Sequence, residues 1–378
     1  MQLLPGKLFP VGGPVSEKDI VDREDFITSL QIRLGDGQSV MLAGPRRIGK
    51  TSIAYEVLRR LKEQGFYTAS VDFFRLSNKR EFAVSLINAC LENRTGIRKT
   101  LDVLKDRAKA IAGMAKLTIK LEDLEFGFGF LHGEPDENAL LDYALDLPEI
   151  LATRDGRNMV VLFDEFQDAS RVVSQEEIYK KMRSHFQNHK NVSYLFLGSK
   201  EGIMKALFSN RKEAFYRFAV ILPIPPIPED SWVTYITRKF AEQNIEVDSE
   251  ITRGILQKTG GHPQDTMLVC SEIYYALLEA GKNTVTPKFV QLGYDRALLI
   301  LAQIYDEILD ELSQKSHVRE VLKRIAAGNR VYSRKANPNE IKRALDYLMA
   351  KAIIEKDGRG SYRFVEPMFQ EYILGEHR

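Results

Sequence analysis

The first 228 residues alternate between short apolar runs and segments with helical periodicity. The run Ser39–Ala43 leads into a glycine-containing loop, and Lys50–Lys62 then carries apolar residues at helical spacing. A second strand is predicted at Phe66–Phe74 and a second helix at Arg80–Glu92. Successive strand–helix units of this kind favour a parallel sheet flanked by helices.

The same alternation resumes nearer the middle of the chain. The predicted elements are a helix at Asp136–Arg154, a strand at Met159–Phe163, a helix at Glu176–Asn188, and strands at Ser193–Leu197 and Phe218–Leu222. Residues 93–135 interrupt the pattern, and we interpret them as an insertion with a basic helical segment and a β-hairpin. Its basic side chains would either grip a partner or form a solvated helix face: Lys99, Lys105, Arg107, Lys109 and Lys116.

Four prolines between 223 and 228 mark the expected end of this first domain, because proline lacks a backbone donor and favours extended neighbours. From 229 to 309 the pattern is helical throughout, which predicts an all-α lid. Residues 310–378 read as two helices followed by a hairpin around Asp357–Gly360, the order of a winged helix. The predicted domains are therefore an α/β core at 1–228, the lid and the winged helix.

Composition and charge exclude several classes of protein. Hydrophobic residues make up 44% and charged residues 28%, with a net charge of +2, as in ordinary globular chains. Cys90 and Cys270 stand in apolar helical segments without metal-ligand spacing, so neither a disulfide framework nor a zinc site is expected. No signal peptide or spanning segment is predicted, so we expect a cytoplasmic protein without membrane contact.

The loop after the first strand has the spacing of a phosphate-binding motif. Gly44-Pro45-Arg46-Arg47-Ile48-Gly49-Lys50-Thr51 fits G-x-x-x-x-G-K-[ST] and stands between a strand and a helix, as the motif requires. Backbone N–H groups would face the phosphates, with Lys50 reaching the β- and γ-phosphates and Thr51 placing its hydroxyl on Mg²⁺. Ser52 completes the expected nucleotide site.

Two later strands end in polar residues at the sheet edge where ligands bind in open α/β folds. Asp164 and Glu165 follow Met159–Phe163, and we expect Asp164 to hold Mg²⁺ and Glu165 to orient or deprotonate the attacking water. Ser199 would sense the γ-phosphate or simply cap a helix. Arg217 would act as an arginine finger on a neighbouring subunit or form a surface ion pair.

The combination resembles the archaeal-type ATPases of the STAND and origin-recognition-like branches of AAA+ proteins. The similarity rests on PVSEKDIVDRE at 14–24, GPRRIGKTS at 44–52, VVLFDEFQD at 160–168, LGSKEGIMKALF at 197–208, FYR at 215–217 and GGHP at 260–263. It implies that Val15, Val21 and Arg23 lie near the adenine, although Asp22 replaces the usual glycine. It also implies a lid motif in which His262 approaches the nucleotide and Pro263 starts a helix.

The predicted function is a switch that binds and hydrolyses ATP with Mg²⁺ and changes its affinity for a partner, either DNA or an unknown client protein. Residues 311–378 carry fourteen basic and nine acidic side chains, which supports contact with double-stranded DNA through Lys342, Arg343, Arg334, Lys335, Arg359 and Arg363. Winged helices also serve as packing modules. The alternative is a scaffold or DNA-binding regulator whose ATP or ADP turns over little, and a homo-oligomer is expected if Arg217 is a finger.

Overall fold

The computed structural model describes residues 8–93, 137–172, 175–332, 337–358 and 360–375. All but Asn93 of the predicted insertion lies outside these residues, together with its basic side chains and its hairpin. Arg334, Lys335 and Arg359 of the predicted DNA surface also lie outside them.

A five-stranded parallel sheet forms the centre of the first part of the chain. Its strands are β1 (Val40–Ala43), β2 (Tyr67–Asp72), β3 (Met159–Asp164), β4 (Val192–Phe196) and β5 (Val220–Pro223). They lie in the order β2-β3-β4-β1-β5, and every neighbouring pair is parallel. The carboxyl ends of β1, β3 and β4 therefore meet at one edge. This sheet confirms the predicted α/β fold class.

Helices cover both faces of the sheet and then continue alone. Those of the core are α1 (Glu24–Gly35), α2 (Lys50–Glu63), α3 (Lys79–Leu91), α4 (Glu137–Asp155), α5 (Gln175–Phe186) and α6 (Glu201–Ser209). Short 3₁₀ turns occupy Glu17–Asp19, Phe73–Arg75 and Phe166–Arg171. The following region contains α7 (Glu229–Ala241), α8 (Ser249–Thr259), α9 (Pro263–Ala280) and α10 (Pro287–Ser313). No helix among the described residues is long and apolar enough to cross a membrane.

The two faces of the sheet bury different side chains because successive residues of a strand point to opposite sides. In β3, Val160 and Leu162 pack with the aliphatic residues of α1 and α2. Val161 and Phe163 pack on the other face with α3 and α4. Phe163 there stacks on Phe196 with ring centroids 5.9 Å apart, within a larger aromatic cluster. Burial on both faces explains why the central strands β1, β3 and β4 read as nearly unbroken apolar runs.

The remaining elements are α11 (Val318–Ala326), α12 (Pro338–Ala350), the antiparallel strands β6 (Ile354–Gly358) and β7 (Ser361–Phe364), and α13 (Pro367–Gly375). The helices and hairpin expected from the sequence are present here, and the final helix α13 was not predicted. The winged-helix assignment itself stays a prediction.

A third core shows where the predicted domain limits do not follow the packing. It joins α7–α10 to α11–α13, and α10 runs unbroken through the expected limit at 309/310 with Tyr305, Leu309 and Leu312 buried. Leu8 and Phe9 belong to it as well, with the Phe9 ring 5.0 Å from that of Phe240. The N-terminal segment therefore packs on α7–α10, the region predicted to be the lid, and the sequence pattern did not indicate this contact.

Candidate nucleotide-binding site

The loop between β1 and α2 has the backbone of a phosphate-binding loop. Gly49 takes a left-handed conformation, with φ of 99°, directly before the first turn of α2. Glycine adopts this conformation without steric cost. Arg47 is also left-handed, with φ of 64°. The free N–H groups at the start of α2 consequently face the space in front of the loop, where a helix end favours an anion.

Lys50 is the buried cation of this loop. Its Nζ donates to the carbonyls of Gly44 at 2.9 Å and Pro45 at 2.6 Å, and the residue is 8% exposed. The carbonyls of Gly44 and Pro45, the first two residues of the loop, thus orient the lysine side chain. Burial lowers the pKa of Lys50 to about 8, although Glu165, Glu201 and Asp164 oppose the shift.

This lowered pKa predicts weaker nucleotide binding at alkaline pH. Between pH 7 and pH 9 an increasing fraction of nucleotide-free protein carries neutral Lys50, whereas the nucleotide phosphates are already ionised. We expect the Kd for ADP, measured by isothermal titration calorimetry, to rise roughly tenfold across this range, as the expected neutral fraction above a pKa near 8 requires. A Kd that stays constant would contradict a charged Lys50 as the phosphate ligand.

Thr51 and Asp164 provide oxygen atoms side by side. Asp164 ends β3, and its Oδ2 accepts a hydrogen bond of 3.1 Å from the Thr51 hydroxyl. Its Oδ1 accepts from the backbone N–H of Glu165 at 2.8 Å. Burial raises the pKa of Asp164, and the bonds from Glu165 and Thr51 oppose that shift. The predicted pair is thereby brought together across 113 sequence positions.

Glu165 is held in a single orientation by three hydrogen bonds. Its Oε2 accepts from the Ser199 backbone N–H at 3.1 Å, from the Ser199 hydroxyl at 2.8 Å and from the Gln167 amide. Burial raises the pKa of Glu165, but these hydrogen bonds and the charge of Lys50 lower it by more than burial raises it. The net shift of the pKa is therefore downward. The carboxyl group is therefore ionised at neutral pH and able to accept a proton.

Ser199 and Gln167 differ from what the sequence indicated. Ser199 lies at the cavity, as expected of a sensing residue, but its hydroxyl bonds to Glu165. Gln167, which is 5% exposed, was not singled out as a site residue. Its position two residues after Glu165 within Phe166–Arg171 was the available signal, since that 3₁₀ turn brings its amide back to the carboxylate.

The N-terminal segment forms the wall opposite the phosphate loop. Val15, Val21 and Arg23 line the cavity, and the Val15 N–H donates to the Ser52 hydroxyl at 3.0 Å. Arg23 is buried and reaches the carbonyl of Pro226 at 3.4 Å. Asp22 has a φ of 49°, the left-handed region in which glycine is at ease. Asp22 therefore takes the left-handed backbone conformation that a glycine at this position would adopt readily.

The lid closes the remaining side through the start of α9. Pro263, Gln264 and Met267 line the cavity with the buried Trp232, whose Nε1 donates to the Gly261 carbonyl at 3.1 Å. Trp232 was not predicted, although it is the only tryptophan of the chain. The cavity enclosed by these walls has a volume of about 510 Å³, in the range of small-ligand and cofactor sites.

His262 has a different place from the one predicted. It lies behind the phosphate loop, with Nε2 3.3 Å from the Arg46 carbonyl and Nδ1 3.3 Å from Asp265. Burial lowers the pKa of His262, but the carboxylates of Asp265 and Glu366 raise it by more than burial lowers it. The net shift of the pKa is therefore upward. His262 is not among the residues that line the cavity, and its contact with the Arg46 carbonyl ties the start of α9 to the backbone of the loop.

Arg217 is exposed at the turn before β5, with its guanidinium 5.3 Å from the Tyr216 ring centroid. It does not line the cavity of its own chain as far as the described residues show. The structure thus brings together the predicted loop, both acidic residues and the N-terminal wall. It leaves Arg217 facing solvent, where contact with another subunit stays a prediction.

A family model described as an ATPase domain predominantly from Archaea matches residues 20–269. That range contains every element of the cavity except the segment before residue 20. No curated protein matches the sequence.

Solved structures share the whole architecture at low sequence identity. The Walker-type ATPase PABY2304 of Pyrococcus abyssi is 19% identical, with a TM-score of 0.73 over 97% of this chain and 99% of that one. The ORC2 protein of Aeropyrum pernix, in ADPNP and ADP complexes, is 14% identical, with a TM-score of 0.59 over 98% of each chain. A chain of the Drosophila ORC bound to DNA is 16% identical, with a TM-score of 0.50 over 100% of this chain and 95% of that one. At these identities the likeness concerns the fold.

Proposed function

The chain belongs to this family of ATPase domains found predominantly in Archaea, and on that premise we propose that it is a switch driven by ATP binding and hydrolysis. One observation carries the proposal. Lys50, Thr51, Asp164 and Glu165 converge on a single cavity, although they come from two elements more than a hundred residues apart. A nucleotide that served only as a structural cofactor would not require the ionised Glu165.

Binding would begin at the phosphate loop. The N–H groups that follow Gly49 and the Lys50 ammonium would contact the β- and γ-phosphates, since both present donors toward the cavity. Arg46 lines the same cavity and adds positive charge. The base would lie between Val15, Val21 and the lid residues Pro263 and Met267, which supply apolar surface.

The donor set at the end of β3 fits Mg²⁺. Thr51 and Asp164 offer one hydroxyl and one carboxylate, and magnesium in such sites keeps several waters and shares phosphate oxygens. Among the described residues, no group of three or more His, Cys, Asp and Glu side chains is arranged to hold a metal ion. These side chains therefore do not form a complete metal site without the nucleotide and water. When bound, the ion would neutralise phosphate charge.

Glu165 would accept a proton from the attacking water. Its net lowered pKa keeps it ionised, and the two bonds from Ser199 fix the direction of its carboxylate. Ser199 lies between β4 and α6, so Glu165 at the end of β3 is hydrogen-bonded to the segment that leads into α6. We propose that loss of the γ-phosphate is sensed through this connection and through the lid.

We also propose that the protein acts on DNA. In the C-terminal region Lys342 and Arg343 are exposed on α12, the helix that would read a groove in a winged helix. Arg363 of the hairpin instead pairs with Glu355 at 2.6 Å, which leaves less of its charge for a phosphate. The shared fold with a DNA-bound ORC chain supports the same role. A protein client and a homo-oligomer bridged by Arg217 remain further proposals.

Steady-state ATP hydrolysis with and without duplex DNA at low salt tests this function. We expect DNA to raise turnover at least about fivefold, the lower end of ordinary coupling between sites. Lys342→Glu/Arg343→Glu should abolish the stimulation and preserve basal hydrolysis. Lys62→Glu/Lys282→Glu, with the same change in charge at exposed positions of the core and lid, should retain it.

The outcomes separate the candidate functions. Hydrolysis without any DNA effect would overturn the DNA role and favour a protein client. Bound nucleotide without turnover in any condition would favour the scaffold with a structural nucleotide.

A further inference from the structure

Two consecutive residues of the phosphate loop are held by two different parts of the chain. The carbonyl of Arg46 faces His262 of the lid, with Nε2 at 3.3 Å. The Nη1 of Arg47 donates to Oε2 of Glu366 at 3.0 Å, across 319 sequence positions. Glu366 directly precedes α13, the last helix of the described chain. The loop that would wrap the phosphates is therefore fastened to the C-terminal region through one ion pair.

The Arg47–Glu366 pair is largely removed from solvent. The side chains are 19% and 14% exposed, so water screens their attraction less than in the ion pairs of the protein surface. Arg47 also has the left-handed φ of 64° that a residue with a side chain rarely adopts. Such a backbone conformation persists when surrounding contacts hold it in place. The ion pair between the Arg47 side chain and Glu366 is one of these contacts.

The position of Glu366 does not depend on the ion pair alone. Its neighbour Pro367 packs on Gly260 so closely that a Cβ on Gly260 would lie 2.8 Å from the proline Cγ. Two residues after Pro367, the centroid of the Phe369 ring lies 4.8 Å from that of Tyr305 in α10. The start of α13 is thus anchored to the lid and to α10, and Glu366 is presented to Arg47 by a packed support.

We propose that Glu366 is a positioning residue for nucleotide binding, which acts by holding Arg47 and with it the backbone of the phosphate loop. The inference rests on the proposed function, because the loop must bind phosphate for its conformation to matter. Arg47 was predicted as a nucleotide ligand. It borders the cavity, but its guanidinium is engaged by Glu366 and so transmits the position of the C-terminal region to the loop.

Such an arrangement has a reciprocal consequence. If the docked C-terminal region strengthens nucleotide binding, the nucleotide must strengthen docking by the same factor. Nucleotide exchange would then alter how firmly α13 and the hairpin beside it are attached to the core. Nucleotide exchange would thereby be coupled to the C-terminal region that carries α12.

Glu366→Gln tests the proposal, because glutamine keeps the size of the side chain and removes its charge. We expect the Kd for ADP to rise about tenfold, within the usual range of coupling between sites, while kcat at saturating ATP stays within twofold of wild type. Glu355→Gln is the matched control, since Glu355 also pairs with an arginine in the C-terminal region but lies away from the loop. Its Kd should equal that of wild type.

A double-mutant cycle assigns the effect to Arg47. The Kd of Arg47→Gln/Glu366→Gln should be no higher than that of Arg47→Gln alone, because the first change already removes the interaction. Multiplied effects, an unchanged Kd in Glu366→Gln or an equal rise in Glu355→Gln would each overturn the proposal. Failure of the wild-type chain to bind any nucleotide would instead overturn the proposed function.

A second measurement needs only wild-type protein. Hydrogen exchange of backbone amides in α13 should slow when ADP is added, because the nucleotide stabilises the docked state. Exchange rates in α13 that ADP leaves unaltered, while those of α2 slow, would show that the loop binds nucleotide without engaging Glu366 and would overturn the inference.

Discussion

Replacing Glu165 by glutamine is expected to lower kcat for ATP hydrolysis by about 10²- to 10⁴-fold, the contribution usual for a general base. Glutamine has nearly the same shape, but its amide cannot take a proton from the attacking water. The Kd for ATP should change little, because Glu165 would act on the water and contact no phosphate. Single-turnover hydrolysis and equilibrium nucleotide binding measure the two quantities separately.

Asp72→Asn is a suitable control for this variant. Asp72 ends β2 and is paired in register with Asp164, so it lies at the same sheet edge, and asparagine can keep its bond to the Phe74 N–H. Its kcat should stay near wild type. If Glu165→Gln hydrolysed ATP as fast as Asp72→Asn, Glu165 would not be the base.

Lys50→Ala should raise the Kd for ATP by about 100-fold or more, and the Kd for ADP, which has no γ-phosphate, by about tenfold or more. Hydrogen bonds to charged groups contribute about 1.5–3 kcal/mol each, and the lysine would lose its interaction with two phosphates of ATP but only one of ADP. The variant should still fold. The lowered pKa of Lys50 shows that burying its ammonium group costs free energy, and the substitution removes that cost. Fluorescent-nucleotide titration and thermal unfolding report these two effects.

Lys62→Ala provides the comparison on the same helix. Lys62 lies in the last turn of α2, is exposed, and faces away from the cavity. Its substitution should leave the nucleotide Kd unchanged. Normal Mg-ATP binding by Lys50→Ala would show that the phosphate loop has been assigned to the wrong residues.

Together the two variants distinguish an ATP-driven switch from a scaffold with a fixed nucleotide. A switch loses its activity in both variants, by loss of chemistry in one and by loss of binding in the other. In a scaffold the Glu165 variant would behave like wild type, since turnover would contribute nothing to its function.

Local sequence pattern determined much of the fold and the chemical centre of the site. The central strands β1, β3 and β4 are apolar runs of about the predicted extent, because strands buried on both faces need apolar residues at nearly every position. The phosphate loop was identified from the spacing of Gly44, Gly49 and Lys50, since only a few residue types allow this backbone. Asp164 and Glu165 followed from their place at the end of β3. These features depend on neighbours in the sequence, so one chain was enough to reveal them.

Contacts between distant segments required the tertiary structure. Gln167 carries no charge and its bond to Glu165 depends on a 3₁₀ turn. The N-terminal Phe9 packs against Phe240 of α7, and no periodic pattern in the sequence predicted this contact. Helix α10 continues through the expected domain limit because its buried positions keep their helical spacing on both sides. His262 and Arg47 both hold the loop through partners that lie more than two hundred positions away.

The physical reason for this division is the range of the interactions concerned. Periodicity, glycine conformation and motif spacing are properties of a few consecutive residues, so the sheet, the phosphate loop and the acidic pair could be predicted from the sequence. Contacts between side chains of different domains depend on how completed elements pack, so the pairing of Arg47 with Glu366 became visible in the three-dimensional structure alone.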